Sequence, residues 1–388
     1  MPNPTSQDDK RVLALLWHAP HGTITAGGFR RTYEIFVRTP MDFDIHVVDD
    51  SPSFLRGIKN AKVHIAEYEI HGVVRRLENS FFWVEQALEW IMAAIAMLCI
   101  CARLRLENER FDVIFVPSSE QIPALLAGIF ARFIFRVPLV ACNLNIDIFP
   151  ASLRRPLARL HNLADVVIVI SEHLAGALEG YGVTVPIELN KVGLDTAFIS
   201  GVPEPETKEY DAVFVGRHDT EKGAFDLIEI WAKVVERRPA ASLVMIGSSN
   251  PTNRARLNSL MEKLALVDNV VRVGMVDDRR KVQLIKGSKI CLFPSYVDEW
   301  GIVPQEALAC GLPVVAYDLP VYQENIKGCP SVFLEPRGDL EAMAAVASSL
   351  LEGDSYLEHA GNGPEYVKRF DWDAVARGEF DILRSAIG

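Results

Sequence analysis

The chain has 388 residues, 49% of them hydrophobic and 23% charged, with a net charge of -11 at pH 7. This length predicts two domains, and the acidic balance argues against nucleic acid as a partner. The longest apolar stretch, Trp90–Ala102, is too short to span a bilayer. The amino terminus carries no basic and apolar signal sequence, so we expect a cytoplasmic protein whose six cysteines are reduced.

Buried strands alternate with helices through the first half of the chain. Val12-Leu13-Ala14-Leu15-Leu16 is a continuous apolar run, as expected of an interior strand in a parallel sheet. This alternation predicts a doubly wound α/β domain. Further strands are predicted at residues 44–48, 113–116, 139–142 and 166–170, with helices near residues 31–38, 82–104 and 122–135.

The second half of the chain repeats this order. Residues 201–209 are polar and contain proline, and they read as a linker between the halves. We therefore predict two Rossmann-like domains, residues 1–200 and 201–369, that face each other across a cleft, with a ligand at the carboxyl ends of their strands. The second half has strands predicted at residues 212–215, 243–246, 270–273, 290–293 and 314–316, and helices near residues 224–235, 253–266, 279–286 and 340–351.

A glycine pair, Gly27-Gly28, follows the first strand and precedes a predicted helix. Glycines at such a place allow close approach of the backbone to a ligand, although a glycine pair alone is a weak signal. His18 and His21 lie in the same loop, but no third ligand is near them, so a metal site is not expected.

A cationic loop follows the first strand of the second half. It reads Gly216-Arg217-His218-Asp219-Thr220-Glu221-Lys222-Gly223 and leads into a predicted helix. Two cations around one loop suit a diphosphate, because they bind it and stabilise the charge that grows as it leaves. An alternative is that the Arg and Lys are solvated and that Asp219 or Thr220 only caps the helix.

The segment Ser295–Pro313 is the most informative part of the chain. Gly301 allows a sharp turn after a predicted strand, and Pro304 suits the first position of a helix. The free amides of Gly301, Ile302 and Val303 would then lie at a helix amino terminus, where they can bind an anion. Within this helix we expect Glu306 in the first turn, and Gly311 just past the end.

The same segment resembles the signature of retaining glycosyltransferases of family four, in which two glutamates bracket seven residues. Aligned on Gly301 and Glu306, the first acid here is Asp298, and Trp300 replaces the usual phenylalanine. Glu299 is one position out of register, which leaves open whether Asp298 or Glu299 contacts the donor sugar.

This resemblance implies a role for each matching residue. Arg217 and Lys222 match the family's cations for the donor diphosphate, with Gly216 before them, and the pair Gly27-Gly28 matches its amino-terminal glycines. Glu306 would accept hydrogen bonds from the ribose hydroxyls, and the amides near Gly301 would bind phosphate. The catalytic candidates are therefore Asp298, Glu299, Arg217 and Lys222, and the donor-binding candidates are Gly27, Gly28, Gly216, Arg217, Lys222, Gly301, Ile302, Val303 and Glu306.

Other stretches extend the resemblance over nearly the whole chain. Residues 164–171 resemble a family strand, and Asn190–Phe198 resembles its N-x-G-V-D segment with two residues inserted. Phe370-Asp371-Trp372 resembles the aromatic patch before the last helix, which implies that residues 370–388 form a helix that crosses back to the first domain. The family's histidine after the strand at residues 138–142 is absent, and Asn145 or Asp147 is a candidate to replace it.

The function implied is retaining, metal-independent transfer of a hexose from a nucleotide-sugar donor to a glycan or lipid-linked acceptor, in polysaccharide or glycolipid biosynthesis. The first domain would hold the acceptor and the second the donor, with no cofactor. Two alternatives stay open. A nucleotide-sugar epimerase would release epimerised donor without any acceptor, and a non-catalytic nucleotide-sugar binding protein would bind donor without turnover.

Basic residues interleaved with aromatic ones suggest a membrane contact as well. The run Arg132-Phe133-Ile134-Phe135-Arg136 suits the face of an anionic bilayer. Its phenylalanines could equally belong to the core, and the acidic net charge argues against general adhesion to membranes. Peripheral association with the inner face of the membrane is therefore a hypothesis. Further basic residues that could take part are Arg103, Arg105, Arg154, Arg155 and Arg159.

Overall fold

The structure is a computed structural model that describes residues 9–17, 26–49, 58, 61–65, 82–298 and 300–388. The chain divides into two compact units. The first comprises residues 1–193 together with the carboxyl-terminal residues 372–388, and the second comprises residues 194–371.

The first unit is built on a parallel sheet with the strand order β3-β2-β1-β4-β5-β6-β7. In register, Val12 of β1 lies between Ile45 and Val113 of its two neighbours. The strands are β1 Lys10–Leu15, β2 Phe43–Asp49, β3 Ala61–Ile65, β4 Val113–Val116, β5 Leu139–Asn143, β6 Val166–Val169 and β7 Ile187–Leu189. The helices are α1 Ala26–Phe36, α2 Phe82–Leu106, α3 Ile122–Phe135, α4 Ala151–Arg159 and α5 Glu172–Tyr181, with a 3-10 turn at Leu160–Leu163.

The second unit has a parallel sheet with the order β10-β9-β8-β11-β12-β13. The chain turns one way from β8 and the other way from β11, so the order of the strands switches between these two neighbours. In such sheets, ligands bind beyond the carboxyl ends of the strands at the switch. The strands are β8 Tyr210–Val215, β9 Leu243–Ile246, β10 Val270–Gly274, β11 Ser288–Phe293, β12 Val314–Tyr317 and β13 Val332–Glu335. The helices are α6 Thr196–Gly201, α7 Ala224–Arg237, α8 Pro251–Lys263, α9 Asp278–Lys286, α10 Ile302–Ala309, α11 Pro320–Asn325, α12 Leu340–Leu351, α13 Tyr356–His359 and α14 Asn362–Val367, with 3-10 turns at Glu352–Asp354 and Lys368–Phe370.

The core strands are apolar along their whole length because helices cover both faces of each sheet. Residues 12–15 of β1 and residues 290–292 of β11 have no exposed surface. The six cysteines are free, and five of them are buried. Burial raises the pKa of the Cys101 and Cys291 thiols to about 12, so both stay protonated at neutral pH.

The chain passes from the first unit to the second after residue 193 and returns after residue 371, and these two points are adjacent. Leu194 pairs with Asp371 in an isolated parallel bridge, and the Leu194 N–H donates to the Phe370 carbonyl at 2.7 Å. Residues 201–209, which read as a linker, lie inside the second unit instead. The Lys286 ammonium fixes them there, since it donates to the Val202 carbonyl at 2.7 Å and pairs with Glu204 at 2.8 Å.

The last helix, α15 Trp372–Ile387, belongs to the first unit, where it packs on α1, β4 and β5. The first residue of this helix packs closely on the chain before the crossing, because a Cβ on Gly193 would lie 2.2 Å from the Trp372 ring. Within the described part of the chain, no helix has the combination of length and hydropathy that crossing a bilayer requires.

Candidate functional site

Two loops meet at the carboxyl ends of β8 and β11 and together form what we call the strand-end cradle, residues 216–223, 294–298 and 300–303. The Tyr296 N–H donates to the Glu221 carbonyl at 2.8 Å, and the Ser295 hydroxyl donates to the same oxygen at 3.3 Å. The Lys222 ammonium donates to the Val297 carbonyl at 2.8 Å. The cationic loop and the glycine-turn segment predicted from the sequence are therefore parts of one site.

Glycine is required where the cradle's loops approach other backbone. Gly223 has φ +67° at the start of α7, and a Cβ there would lie 1.7 Å from the Pro294 carbonyl oxygen. Gly247, just after β9, has φ +141°, and its Cβ would lie 1.9 Å from the Gly216 carbonyl oxygen. These two contacts hold the cationic loop against both neighbouring strand ends.

The two cations of the cradle are held differently. The Arg217 guanidinium is 58% exposed and pairs with Asp219 at 2.8 Å and with Glu221 at 2.7 Å. The Lys222 ammonium lies 5.9 Å from the centre of the Phe293 ring and forms no ion pair with any described residue. Lys222 therefore carries a charge that an anionic ligand can balance, whereas Arg217 already has two carboxylate partners.

Helix α10 begins at Ile302, directly after Gly301, whose φ of +86° places it in the left-handed region. No side chain caps this helix start. The Gly301 N–H is not free as expected, because it donates to Asp298 Oδ1 at 3.2 Å. The uncapped amides at the helix start are therefore those of Ile302 and Val303, and Pro304 is the third helical residue and not the first.

Asp298 braces this turn. Its Oδ1 also accepts from the Trp300 N–H at 3.4 Å, and its Oδ2 accepts from the Tyr322 hydroxyl at 2.8 Å. Burial, together with the neighbouring Asp298 carboxylate, raises the pKa of Tyr322 well above its ordinary value, so this hydroxyl stays a donor. Glu299, the other acid considered for the sugar, lies outside the described residues.

Glu306 lies in the second turn of α10, not in the first turn as expected, because the helix starts at Ile302. Its side chain is 13% exposed, and its Oε1 accepts from the Lys281 ammonium of α9 at 2.7 Å. Burial lowers the pKa of Lys281, but the Glu306 and Asp278 carboxylates together outweigh burial and the net shift is upward. The carboxylate of Glu306 is thus held by a fixed positive charge that its sequence context does not reveal.

His218 is a second residue that the sequence did not single out. Its side chain is buried, its ring lies 6.1 Å from that of Phe214, and its Nε2 has no hydrogen-bond partner. Burial lowers its pKa to about 4, with Arg272 adding to the effect. The imidazole at the base of the cationic loop is therefore neutral at pH 7.

In the first unit, Gly27 and Gly28 lie within the first turn of α1 and not before the helix as predicted, since the helix begins at Ala26. Glycine has no side chain, so the backbone at these two positions permits close approach of a ligand. His18 and His21 lie outside the described residues.

The two candidates for the missing histidine are both engaged locally. Asn145 Oδ1 accepts from the Asp147 N–H at 2.7 Å, and Asp147 pairs with Arg154 at 2.7 Å. A different histidine, His161, is buried beside the end of β5, where its Nε2 lies 2.7 Å from the Ser119 hydroxyl oxygen. Burial lowers the pKa of His161, which favours the neutral ring.

Metal-type ligand sets are absent from the described part of the chain, where no group of three or more His, Cys, Asp or Glu side chains could hold an ion. Arg217, Lys222 and the start of α10 supply positive charge to the cradle.

Residues 195–364 match the family described as "Glycosyl transferases group 1". Phosphatidyl-myo-inositol mannosyltransferase of Mycobacterium leprae is 32% identical over 167 residues, which cover 42% of this chain and 43% of that protein. D-inositol 3-phosphate glycosyltransferase of Rhodococcus erythropolis is 28% identical over 184 residues, which cover 46% of this chain and 42% of that protein. The chain thus spans less than half the length of these curated relatives.

Solved structures resemble the chain over almost its full length. Anabaena HepE, solved in complex with UDP and glucose, has a TM-score of 0.71 at 21% identity, covering 96% of this chain and 99% of that one. A glycosyltransferase from Rickettsia africae has a TM-score of 0.75 at 15% identity, covering 98% and 99%. These likenesses confirm the predicted fold class, an α/β chain with two Rossmann-like doubly wound units of the GT-B type.

Proposed function

We propose that the chain, whose second unit carries the group 1 glycosyl transferase segment, moves a hexose from a nucleotide-sugar donor to a glycan or lipid-linked acceptor. The transfer retains the configuration of the sugar and needs no metal or other cofactor. In this proposal the second unit binds the donor and the first unit binds the acceptor. The protein works in the cytoplasm, with peripheral contact at the inner face of the membrane.

The observation that carries the proposal is the strand-end cradle. Lys222 and Arg217 share one site with the uncapped amides of Ile302 and Val303, at the switch point of the second sheet. Cations and helix-start amides are the groups that bind a diphosphate and stabilise its charge as a leaving group. This supports a donor that releases a nucleoside diphosphate.

The paired charges suggest a role for each remaining candidate. Arg217 exchanges Asp219 or Glu221 for phosphate oxygens when the donor binds. Glu306, oriented by Lys281, accepts from the vicinal ribose hydroxyls, since a carboxylate can accept two hydrogen bonds at once. We assign to Asp298 the holding of the turn before α10, and to Glu299 the contact with the donor sugar.

The test is turnover of Arg217→Ala and Lys222→Ala with the donor that a thermal-shift panel of nucleotide sugars selects. We expect each change to lower turnover by roughly 100-fold or more, the usual scale for one lost charge-stabilising donor. Arg237→Ala and Lys263→Ala, exposed at the far ends of helices in the same unit, serve as matched controls and should retain turnover.

Near-wild-type turnover of both cradle variants would contradict the assignment of the site. Product anomers read by NMR would decide retention against inversion. Epimerised donor formed without any acceptor would instead indicate an epimerase on the same fold.

A further inference from the structure

Two neighbouring helices of the first unit expose large apolar side chains to solvent. On α2, Ile91 is 55% exposed, Met92 41% and Ile95 48%. This spacing of one, three and four residues places them on one side of the helix. The stripe continues through Cys99, which is also exposed.

Helix α3 carries a matching stripe. Leu126 is 42% exposed, Phe130 37% and Phe133 59%, at a spacing of four and three residues. The opposite side of α3 is also apolar and is buried against the sheet, with Leu125 and Ala131 fully enclosed. A helix that is apolar on both its buried and its exposed side has a second apolar partner to contact.

The two stripes form one surface, because α2 and α3 pack against each other on the same side of the sheet. Both helices run opposite to the parallel strands and therefore parallel to each other. Their carboxyl ends meet where the Arg105 Nε donates to the Ile134 carbonyl at 3.2 Å. We call Ile91, Met92, Ile95, Leu126, Phe130 and Phe133 the apolar face.

Charged residues are sparse along the two helices that carry the apolar face, and arginines gather at one end of it. Helix α2 has no charged residue between Glu89, which is buried, and Arg103, and the only charged residue of α3 is Arg132. At the joined carboxyl ends, Arg103 pairs with Glu107 at 2.8 Å and Arg132 pairs with Asp165 at 2.6 Å. Arg105 lies between them, and Arg136 lies just beyond. Arg136 is exposed and forms no ion pair with any described residue.

We propose that the apolar face docks on an anionic lipid bilayer. A protein partner would need hydrogen-bonding groups within the face to fix its register, at about one per 100–200 Å² of interface. The apolar face offers none, and a bilayer interface needs none. Arg105 and Arg136 at one end reach lipid phosphates while the apolar side chains enter the headgroup and acyl boundary.

This inference deepens the proposed function, on which it rests for its meaning, since it gives a lipid-linked acceptor a place to meet the enzyme. The proposed membrane contact also differs in place from the one that the sequence suggested at residues 132–136. Phe135 packs edge-on against Phe111 with ring centres 5.1 Å apart, and Arg132 is paired with Asp165. Phe133 and Arg136 remain part of the surface, and most of it comes from α2 and the outer side of α3.

Co-sedimentation of the full chain with vesicles tests the proposal. We expect binding to vesicles that contain phosphatidylglycerol, weaker binding at high salt, and little binding to pure phosphatidylcholine. The double variant Ile95→Glu with Phe133→Glu should lower vesicle affinity at least about tenfold, because both charges would have to enter the apolar boundary. Arg105→Gln and Arg136→Gln should each lower affinity for the anionic vesicles about fivefold.

The matched controls are Val267→Glu and Leu357→Glu in the second unit, where the side chains are 57% and 58% exposed. These variants should bind vesicles like the wild type, and all variants should keep the wild-type melting temperature. Donor hydrolysis without acceptor should be unchanged in the double variant, so that loss of docking and loss of the proposed function are separate readouts.

Three outcomes would overturn the proposal. The first is a wild-type chain that does not bind anionic vesicles at low salt. The second is a double variant that binds them like the wild type. The third is a wild-type dimer that the double variant converts to a monomer, with no vesicle binding, which would make the apolar face a contact between two copies of the chain.

Discussion

Single residues of the cradle are held by partners that fix them before any ligand arrives. The Lys222 ammonium donates to the Val297 carbonyl, and Glu306 is oriented by Lys281. Groups that are already oriented need little reorganisation when charge develops on a leaving group, which makes their stabilisation of that charge more effective.

Replacement of Asp298 and replacement of Glu299, the two acids before α10, should have different effects on stability and turnover. Asp298→Ala removes the acceptor of the buried Tyr322 hydroxyl and of the Gly301 amide. We expect it to lower the free energy of unfolding by about 1.5–3 kcal/mol, the scale of a hydrogen bond to a charged group. Glu299→Gln should lower turnover without that loss of stability. Chemical denaturation and turnover of both variants check this assignment, and an unchanged stability of Asp298→Ala would refute the bracing role.

His218 should make stability depend on pH in the mildly acidic range. Its pKa is lowered from 6.5 to about 4 in the folded chain, so the unfolded chain takes up a proton first as the pH falls. The stability that the neutral ring contributes is therefore present above pH 6.5 and is lost as the pH falls from 6.5 toward 4. The loss between about pH 7 and about pH 5 amounts to about 2 kcal/mol. In urea unfolding, the loss of stability between these two pH values should be smaller by about 2 kcal/mol in His218→Leu than in the wild type. An equal loss in the variant and the wild type would contradict the role of His218.

At the scale of elements, a buried ion pair attaches the last helix to the first unit. Arg31 of α1 donates to both carboxylate oxygens of Glu379 of α15 at 3.0 and 2.7 Å, and both side chains are almost fully buried. Asn190 donates to the same carboxylate and to the Val375 carbonyl. The segment before the crossing, the first helix and the last helix thus share one polar network.

Breaking this pair should cost much more than breaking an exposed one on the same helix. Glu379→Ala leaves the Arg31 charge buried and uncompensated, and we expect a loss of about 3–5 kcal/mol. The paired change Arg31→Met with Glu379→Leu should cost less than either single change, because no charge is left behind. Asp373→Ala, which removes an exposed pair with Arg38, should cost about 0–1 kcal/mol. Denaturant titrations of these variants test the order, and a double variant less stable than both single ones would contradict it.

The sequence predicted the central strands well and the edge strands poorly. Residues 113–116 and 243–246 are unbroken apolar runs because both faces are covered, and their predicted bounds match the structure. Strands β3, β7 and β13 were missed. They are three of the four edge strands, and the fourth, β10, was predicted. Edge strands are less fully covered than central ones, so Lys62 and Glu188 interrupt the apolar pattern.

At the scale of the whole molecule, the sequence located the candidate site but not its pairings. Gly301 was predicted as a turn glycine, and its φ of +86° is one that favours glycine. The partnership of Glu306 with Lys281 could not, since 25 residues separate them and only the packing of α9 beside α10 brings them together. Spacing along the chain reveals local turns, whereas contacts between elements depend on the fold.

The folded molecule should bind a nucleoside diphosphate without a divalent metal. Lys222, Arg217 and the start of α10 supply positive charge to the cradle, and a ligand that binds only the native state raises its stability. At a ligand concentration about 100 times the Kd, the gain in free energy of unfolding should be about 2.7 kcal/mol. Thermal shifts with UDP and GDP, each measured with EDTA and with magnesium chloride, test this, and Arg217→Ala with Lys222→Ala should abolish the shift. A shift that appears only with magnesium would show that a metal supplies charge that we assign to these two side chains.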